Sequence, residues 1–308
     1  MKENCNKLSV QYKLGREKID QSFIEECDRV LDGHFESAVK HLCHNSEGIR
    51  VMGLTGPTCS GKTTAAKKLL HRFHENEKRV VTVSLDDFFK DCFSREELAD
   101  AKVEDLDFDS PDTLDTELLS DFVDEIFTKG RAEKPIFDFV SGERSRYEEI
   151  VCGENDVILF EGIQVLYPAV LSVIEGHGGR IMGVRPESGI EVGGEKFEPD
   201  FIRLCRRLVR DSNFRGASPD FTLSLWDSVR RNEEANIFPH FHRCSVIVDT
   251  TLSYEMNVLA PYLRKILPEI ERESKHYKVS REILELIDHL TGIESFVISE
   301  DSLYKEFV

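Results

Sequence analysis

The feature that most constrains this chain is the segment Gly56-Pro-Thr-Cys-Ser-Gly-Lys-Thr63, which fits the pattern G-x-x-x-x-G-K-[ST]. In such a loop glycines let backbone N–H groups converge on phosphate oxygens, the lysine reaches the terminal phosphates and the hydroxyl ligates Mg²⁺. An apolar run, Ile49 to Leu54, precedes the segment, and a helical pattern from Thr64 to His74 follows it. This strand–loop–helix context predicts a nucleotide site rather than a chance match in a Gly/Ser turn. The predicted nucleotide-binding residues are Gly56, Pro57, Thr58, Cys59, Ser60, Gly61, Lys62, Thr63 and Thr64.

Three further apolar runs resemble the one before the loop: Val80 to Leu85, Val157 to Phe160 and Val246 to Val248. Each is short and nearly all apolar, which is typical of a strand covered on both faces. Helical stretches separate them. The fold predicted is therefore α/β, a P-loop NTPase-type doubly wound parallel sheet with helices on both faces, whose ligands lie beyond the carboxyl ends of the strands.

The domain boundaries follow from the remaining segments. Residues 1–47 are predicted to be an N-terminal helical appendage, because apolar residues recur there at helical spacing. Residues 48–270 form the P-loop domain, with an arginine-rich lid at about 200–218, and residues 271–308 form a C-terminal helical extension. The glycine-rich stretch 176–194 is interpreted as a flexible excursion.

Composition restricts the partners. A formal charge of -18 over 308 residues argues against nucleic acid, because nucleic-acid binders usually carry a basic face. The eight cysteines form no C-x-x-C pair, which favours free thiols in a reducing compartment. No run approaches the roughly 18 apolar residues of a membrane span, and the start lacks the apolar core of a signal peptide. We therefore expect no membrane partner and a cytoplasmic location, with an oligomer left open.

Carboxylates at two strand ends suggest a reaction. Asp86 follows the second run, where it would accept a proton from an attacking hydroxyl and help to hold a metal, although a plain turn aspartate fits this segment equally well. Because neighbouring side chains alternate along a strand, Asp86 rather than Asp87 is expected to face the phosphates. Glu161 ends the third run and is a candidate Mg²⁺ partner through water. The predicted metal residues are Thr63, Asp86 and Glu161.

A row of arginines, here called the arginine stripe, is a further feature that points to phosphate chemistry. Its members recur at i, i+3, i+4 and i+7, on one face of a helix: Arg203, Arg206, Arg207 and Arg210. A solvated helix face usually mixes lysine and glutamate, whereas this stretch contains no lysine. Arginine alone suits bidentate phosphate contacts and neutralisation of the transferring group, so the pattern favours function over a merely solvated face.

Together these segments resemble the uridine kinase and phosphoribulokinase family of P-loop kinases, over about residues 49–265. The resemblance rests on "GPTCSGKTT", "VSLDDFF", "FDSPDTLD", "PIFDFVSGERSRY", "VILFEGIQVLYP" and "RLCRRLVRDSNFRGASP". The later "WDSVRRNEEANIFP" is similar to the bacterial branch. The family implies ATP, Mg²⁺ and transfer of the γ-phosphate to a sugar hydroxyl.

The resemblance also implies roles for individual residues. Asp86 matches the catalytic base, with Lys62 and Arg207 as the other catalytic residues. The arginine stripe matches a lid that closes over the phosphates, so Arg206 and Arg210 are assigned to ATP. The predicted acceptor-binding residues are Asp109, Phe137 and Arg203.

Departures from the family pattern bear on the acceptor. Phe137 and Gly142 stand where the animal uridine kinases have a tyrosine and a histidine, and Phe201 stands where an aspartate usually precedes the lid. The sequence therefore indicates an ATP:alcohol phosphotransferase with a nucleoside as the first choice of acceptor. The alternatives are a same-fold kinase for another sugar or a pantothenate-like alcohol, and an ATP-sensing module that transfers nothing.

Overall fold

A computed structural model describes residues 10–43, 49–75, 78–90, 110–138, 143–292, 297–299 and 302–308. Contacts divide the chain into two compact units. The first comprises His34–Val184 and Leu223–Val248, and the second comprises Met1–Gly33, Arg185–Thr222 and Asp249–Val308. These units interleave along the sequence and do not follow the predicted borders near 47 and 270, which stay a prediction.

The strands and helices are as follows. The strands are β1 Tyr12–Leu14, β2 Val51–Thr55, β3 Val80–Ser84, β4 Arg131–Asp138, β5 Glu143–Val151, β6 Val157–Glu161, β7 Arg180–Arg185, β8 Gly189–Val192, β9 Glu195–Phe197 and β10 Val246–Asp249. The helices are α1 Gln21–Cys43, α2 Lys62–Glu75, α3 Thr116–Lys129, α4 Pro168–Gly176, α5 Pro199–Phe214, α6 Pro219–Asn232, α7 Glu255–Ile266 and α8 Tyr277–Ile287.

A five-stranded sheet in the order β10-β7-β2-β6-β3 forms the centre of the first unit. The four apolar runs of the sequence are the strands β2, β3, β6 and β10, and β2 pairs in parallel with both β6 and β7. All five residues of β2 are buried, since α2 and α4 pack against it. The predicted α/β fold with a central parallel sheet is confirmed.

The interpretation of residues 176–194 as a flexible excursion is wrong. This stretch contains β7, a buried strand that pairs with β2, and β8. The glycine inside β7 serves close packing: a Cβ on Gly183 would lie 2.9 Å from Sγ of Cys244 and 2.9 Å from Cε1 of Phe241. Glycine inside a strand often marks such an approach, so glycine content alone did not indicate a loop.

The second unit contains a small sheet in the order β1-β8-β9, the helices α5, α7 and α8, and a 3-10 turn at Leu303–Glu306. The helix predicted in the N-terminal segment is present as α1, which contributes residues to both units. Among the described helices, none combines the length and the apolar character needed to cross a bilayer.

Asp249, the last residue of β10, ties together the segments of the second unit. Its Oδ1 accepts hydrogen bonds from the backbone N–H of Glu187 at 2.9 Å and of Thr251 at 3.0 Å. Its Oδ2 accepts from the Ser188 hydroxyl at 2.7 Å and lies 3.0 Å from Nζ of Lys13 on β1. Burial raises the pKa of this carboxyl, but Lys13 and the hydrogen-bond donors outweigh burial and hold the pKa well below its usual range.

We expect Asp249→Asn to lower the free energy of unfolding by about 2 kcal/mol near neutral pH, because the buried donors lose a charged acceptor. The folded-state pKa lies below the ordinary value of 3.8, so the stabilisation is present above that pH and is lost as the pH falls. Denaturant unfolding near pH 7 and near pH 3 should therefore show a difference between wild type and variant that narrows in acid. The exposed Asp227 supplies the control Asp227→Asn. An equal difference at both pH values would contradict the assignment.

Candidate active site

The phosphate loop connects β2 to α2 and depends on two glycines and an unusual cysteine. A Cβ on Gly56 would lie 2.1 Å from the carbonyl oxygen of Val184 on β7 and 2.4 Å from Oγ of Ser60, so only glycine fits there. Gly61 has a φ of 94° and Cys59 a φ of 57°, both in the left-handed region. Such positive φ angles turn successive N–H groups toward one side of a loop, which makes a concave site for an anion.

The first turn of α2 supplies the charge and the hydroxyl that the motif requires. Nζ of Lys62 donates to the carbonyl oxygens of Gly56 at 2.9 Å and Pro57 at 3.2 Å, so the ammonium reaches back across the loop. Thr63 follows in the same turn and is exposed. Because the helix begins at Lys62, its positive N-terminal end also faces the loop.

The register of the sheet brings the predicted carboxylates to the same level as the loop. Glu161, the last residue of β6, is paired with Leu54 of β2 on one side and with Ser84 of β3 on the other. Neighbouring strands lie about 4.8 Å apart, so Glu161 stands next to the start of the loop. The two aspartates follow β3 directly at this edge.

Asp86 and Asp87 lie in a 3-10 turn, Leu85–Phe88, rather than on a strand. The expectation that strand alternation separates them is therefore wrong, since β3 ends at Ser84. They nevertheless have different partners. Oδ1 of Asp86 accepts a hydrogen bond from Nε2 of Gln164 at 2.6 Å. Asp87 accepts from Nζ of Lys134 at 2.5 Å and from the backbone N–H of Phe137 at 3.3 Å.

The β4–β5 hairpin is therefore anchored on Asp87. The Lys134 side chain is only 8% exposed, and its ammonium lies 2.5 Å from Asp87 and 3.1 Å from Glu148, so the contact with Asp87 is a largely buried ion pair. The same carboxylate fixes the backbone of Phe137, whose ring packs edge-on against Phe89 with centroids 5.7 Å apart. Phe137 thus lies on an element tied to the turn that carries Asp86.

A second ion pair holds the hairpin from the other side. Arg144 of β5 donates from Nη2 to Asp115 at 2.7 Å and from Nε to the carbonyl oxygen of Phe89 at 3.0 Å. Burial raises the pKa of the Asp115 carboxyl, but the hydrogen bond from the Leu118 N–H and the nearby Arg144 guanidinium together outweigh burial. The net result is a lowered pKa. Asp115 also caps α3 through that N–H, which couples the hairpin to the helix.

The arginine stripe lies on α5, in the second unit, where Arg203, Arg206 and Arg207 are buried. Arg206 forms a fully buried bidentate pair with Glu255 and donates from Nη2 to the carbonyl oxygen of Thr250 at 2.9 Å. The stripe is therefore not simply a solvent-exposed helix face. Each other arginine has an acidic partner: Arg203 with Asp200 at 3.2 Å, Arg207 with Asp211 at 3.3 Å and Arg210 with Asp211 at 2.6 Å. Their contact with phosphate stays a prediction.

The residues present suit a magnesium ion. Mg²⁺ is usually bound by one or two carboxylates together with substrate phosphates and water. The Thr63 hydroxyl, Glu161 and Asp86 provide donors of this type around the loop. Within the described residues no three histidine, cysteine, aspartate or glutamate side chains gather into a metal site, so a resident metal such as structural zinc finds no ligand set there.

A family model described as the phosphoribulokinase / uridine kinase family matches residues 51–255. The chain belongs to this family. A uridine kinase of Clostridium botulinum (strain Kyoto / Type A2) is 31% identical over 182 residues, 59% of this chain and 78% of the relative. Uridine-cytidine kinase 2-B of Danio rerio is 30% identical over 204 residues, 64% of this chain and 72% of the relative. This member of the phosphoribulokinase / uridine kinase family is accordingly a phosphotransferase.

A solved structure is also similar to this family member. It is described as a possible uridine kinase from Bacillus stearothermophilus, and the match covers 71% of this chain and 100% of that one at 16% identity and a TM-score of 0.47. At that identity and score the likeness bears on neither substrate nor mechanism.

The predicted acceptor-binding residue Asp109 lies outside the described residues, as does Gly142, where the family pattern is departed from. Conversely, sequence reasoning missed three polar residues of the first unit, Gln164, Lys134 and Glu233. All three are buried, with Gln164 1% and Glu233 2% exposed. A polar residue inside an apolar segment, such as the glutamine in "EGIQVLYP", is the signal that would have pointed to Gln164.

We expect Gly56→Ala to weaken ATP binding at least about tenfold, because the added Cβ has no room and must displace the loop from Val184. Titration calorimetry with ATP measures the effect, and circular dichroism shows whether the fold persists. Gly176→Ala is the matched control, since nothing lies within 4 Å of a Cβ there. Equal ATP affinity of the two variants would mean that the loop does not form the phosphate cradle.

Proposed function

We propose that the protein transfers the γ-phosphate of ATP, in the presence of Mg²⁺, to a hydroxyl group of a nucleoside. The observation that carries the proposal is the meeting of three elements at one sheet edge: the phosphate loop, Glu161 and the turn with Asp86. A module that only sensed ATP would need the loop but no carboxylate held beside it. The family and its uridine kinase relatives support the same class of reaction.

The phosphate donor is held by the loop in this proposal. Backbone N–H groups of the loop and the N-terminal end of α2 bind the phosphates, and the Lys62 ammonium stabilises charge on the terminal ones. Thr63 and Glu161 would hold Mg²⁺, which would neutralise charge on the phosphates.

Asp86 serves as the general base and Asp87 as the anchor of the hairpin. Oδ1 of Asp86 accepts a hydrogen bond from the Gln164 amide, which fixes the orientation of the carboxylate. Both oxygens of Asp87 are instead engaged in holding the hairpin, Oδ2 by the ammonium of Lys134 and Oδ1 by the backbone N–H of Phe137. The acceptor hydroxyl would therefore give its proton to Asp86 as the oxygen attacks the γ-phosphorus and the bond to ADP breaks.

The acceptor site is proposed from the hairpin and the preceding segment. Phe137 offers a ring face to a nucleobase but no hydrogen bond, and Asp109 is proposed to bind the ribose hydroxyls. A cytoplasmic location and the absence of a nucleic-acid partner remain predictions from the sequence.

Asp86→Asn should lower kcat by about 10²–10⁴, the usual loss when a general base is removed, while leaving ATP affinity near the wild-type value. Asp87→Asn is the matched control, because it removes the charge opposite Lys134. It should lower the melting temperature and leave kcat much closer to the wild-type value than Asp86→Asn does. Steady-state rates and ATP titration on both variants decide the matter. If Asp87→Asn is the inactive variant, the two roles are reversed.

Ribonucleosides should be phosphorylated and their 2′-deoxy analogues strongly disfavoured, by a factor of about 10⁴, because a site built for a hydroxyl leaves its own polar group unpaired when that hydroxyl is missing. Discrimination among bases should be loose, since the Phe137 side chain has no hydrogen-bonding group. The measurement is ATP-dependent product formation over a nucleoside panel, repeated with Asp109→Ala. If only another alcohol is phosphorylated, the assignment of a nucleoside as the acceptor is wrong. If ATP binds and no product forms at all, a sensing module is favoured.

A further inference from the structure

A buried carboxylate outside the predicted site touches the phosphate loop. Glu233 is 2% exposed and begins a π-helical turn, Glu233–Ile237, immediately after α6. Turns of this kind are rare and frequently occur at functional sites. A buried carboxylate is costly unless it is paired, so its partners indicate why it is there.

One oxygen of Glu233 is held by Arg230 on the preceding turn. Nη1 of Arg230 lies 2.8 Å from Oε2 of Glu233, and Nη2 of the same guanidinium lies 3.0 Å from Oε1 of Glu234. The Arg230 guanidinium also lies over the ring of Phe238, 5.2 Å from its centroid. The side chain of Glu233 is therefore oriented from its own segment, whereas Glu234 is 65% exposed and points to solvent.

The other oxygen reaches the loop. Oε1 of Glu233 accepts a hydrogen bond from the backbone N–H of Thr58 at 3.3 Å. Thr58 directly precedes Cys59, whose φ of 57° is unfavourable for a residue with a side chain. The carboxylate thus fixes the backbone at the point where the loop enters its strained section, and both segments belong to the same unit.

We propose that Glu233 is a positioning residue of the nucleotide site, which holds the first half of the phosphate loop so that the following N–H groups are aligned before ATP arrives. This inference rests on the proposed function. A preorganised loop loses less conformational freedom on binding, so the contact should appear in ATP affinity more than in the rate of transfer. The positive charge of Arg230 limits the repulsion between this carboxylate and the phosphates.

The test compares two substitutions of similar volume. Glu233→Gln keeps an oxygen that can accept from Thr58, whereas Glu233→Met has none, and both lose the charge opposite Arg230. We expect the Kd for ATP, measured by titration calorimetry, to rise about tenfold or more in Glu233→Met and to stay within about threefold of wild type in Glu233→Gln. Glu234→Met, which loses a contact to the same arginine, is the control and should bind ATP as wild type does.

Thermal unfolding separates affinity from stability. Both Glu233 variants should remain folded at the temperature of the titration, as their melting curves will show, so a difference between them in Kd is not the result of unfolding. If Glu233→Met does not fold, Glu233→Ala takes its place. Equal ATP affinity of the Gln and Met variants would overturn the inference, as would tighter binding in Glu233→Met, which would mean that the carboxylate competes with phosphate. Failure of the wild type to bind ATP would instead overturn the proposed function and this inference with it.

Discussion

The close approach of Gly56 to the carbonyl oxygen of Val184 is the contact on which the site depends. It sets the end of β2 against β7 with no room for a side chain, and from there the loop turns into α2. The position of Glu161 and of the turn after β3 follows from the parallel register with β2. A displacement of the loop would therefore separate its N–H groups from the carboxylates on the neighbouring strands.

How much could be predicted from the sequence depended on how local the information was. The phosphate motif with its flanking strand and helix, and the other three apolar runs, needed only neighbouring residues. Sequence analysis missed the strand β7 because the glycines in and around it resemble those of a loop. Only the packing of Phe241 and Cys244, about 60 positions away, on Gly183 shows otherwise. The turn at Asp86 depends on how the chain leaves the sheet, which strand alternation cannot indicate.

Sequence patterns also could not indicate which residues the buried charged side chains contact. The spacing of the arginines on α5 correctly predicts one helix face, but the partner that buries Arg206, Glu255, is 49 positions away. A buried guanidinium needs a counter-ion, so removing Glu255 alone would destabilise this unit by leaving the charge of Arg206 uncompensated. Glu233 escaped for the same reason, since the N–H that it accepts from lies 175 positions earlier.

The bond between Asp87 and Lys134 has an evolutionary consequence. Two adjacent residues of one turn serve separate elements, because Asp86 stays with the sheet edge while Asp87 holds the β4–β5 hairpin. Among the described contacts, one buried ion pair, Lys134 with Asp87, connects the hairpin to that turn. A second ion pair, Arg144 with Asp115, holds the other strand of the hairpin. A lineage that kept Asp87 and Lys134 could therefore vary the exposed residues of β5 without moving the turn that carries Asp86.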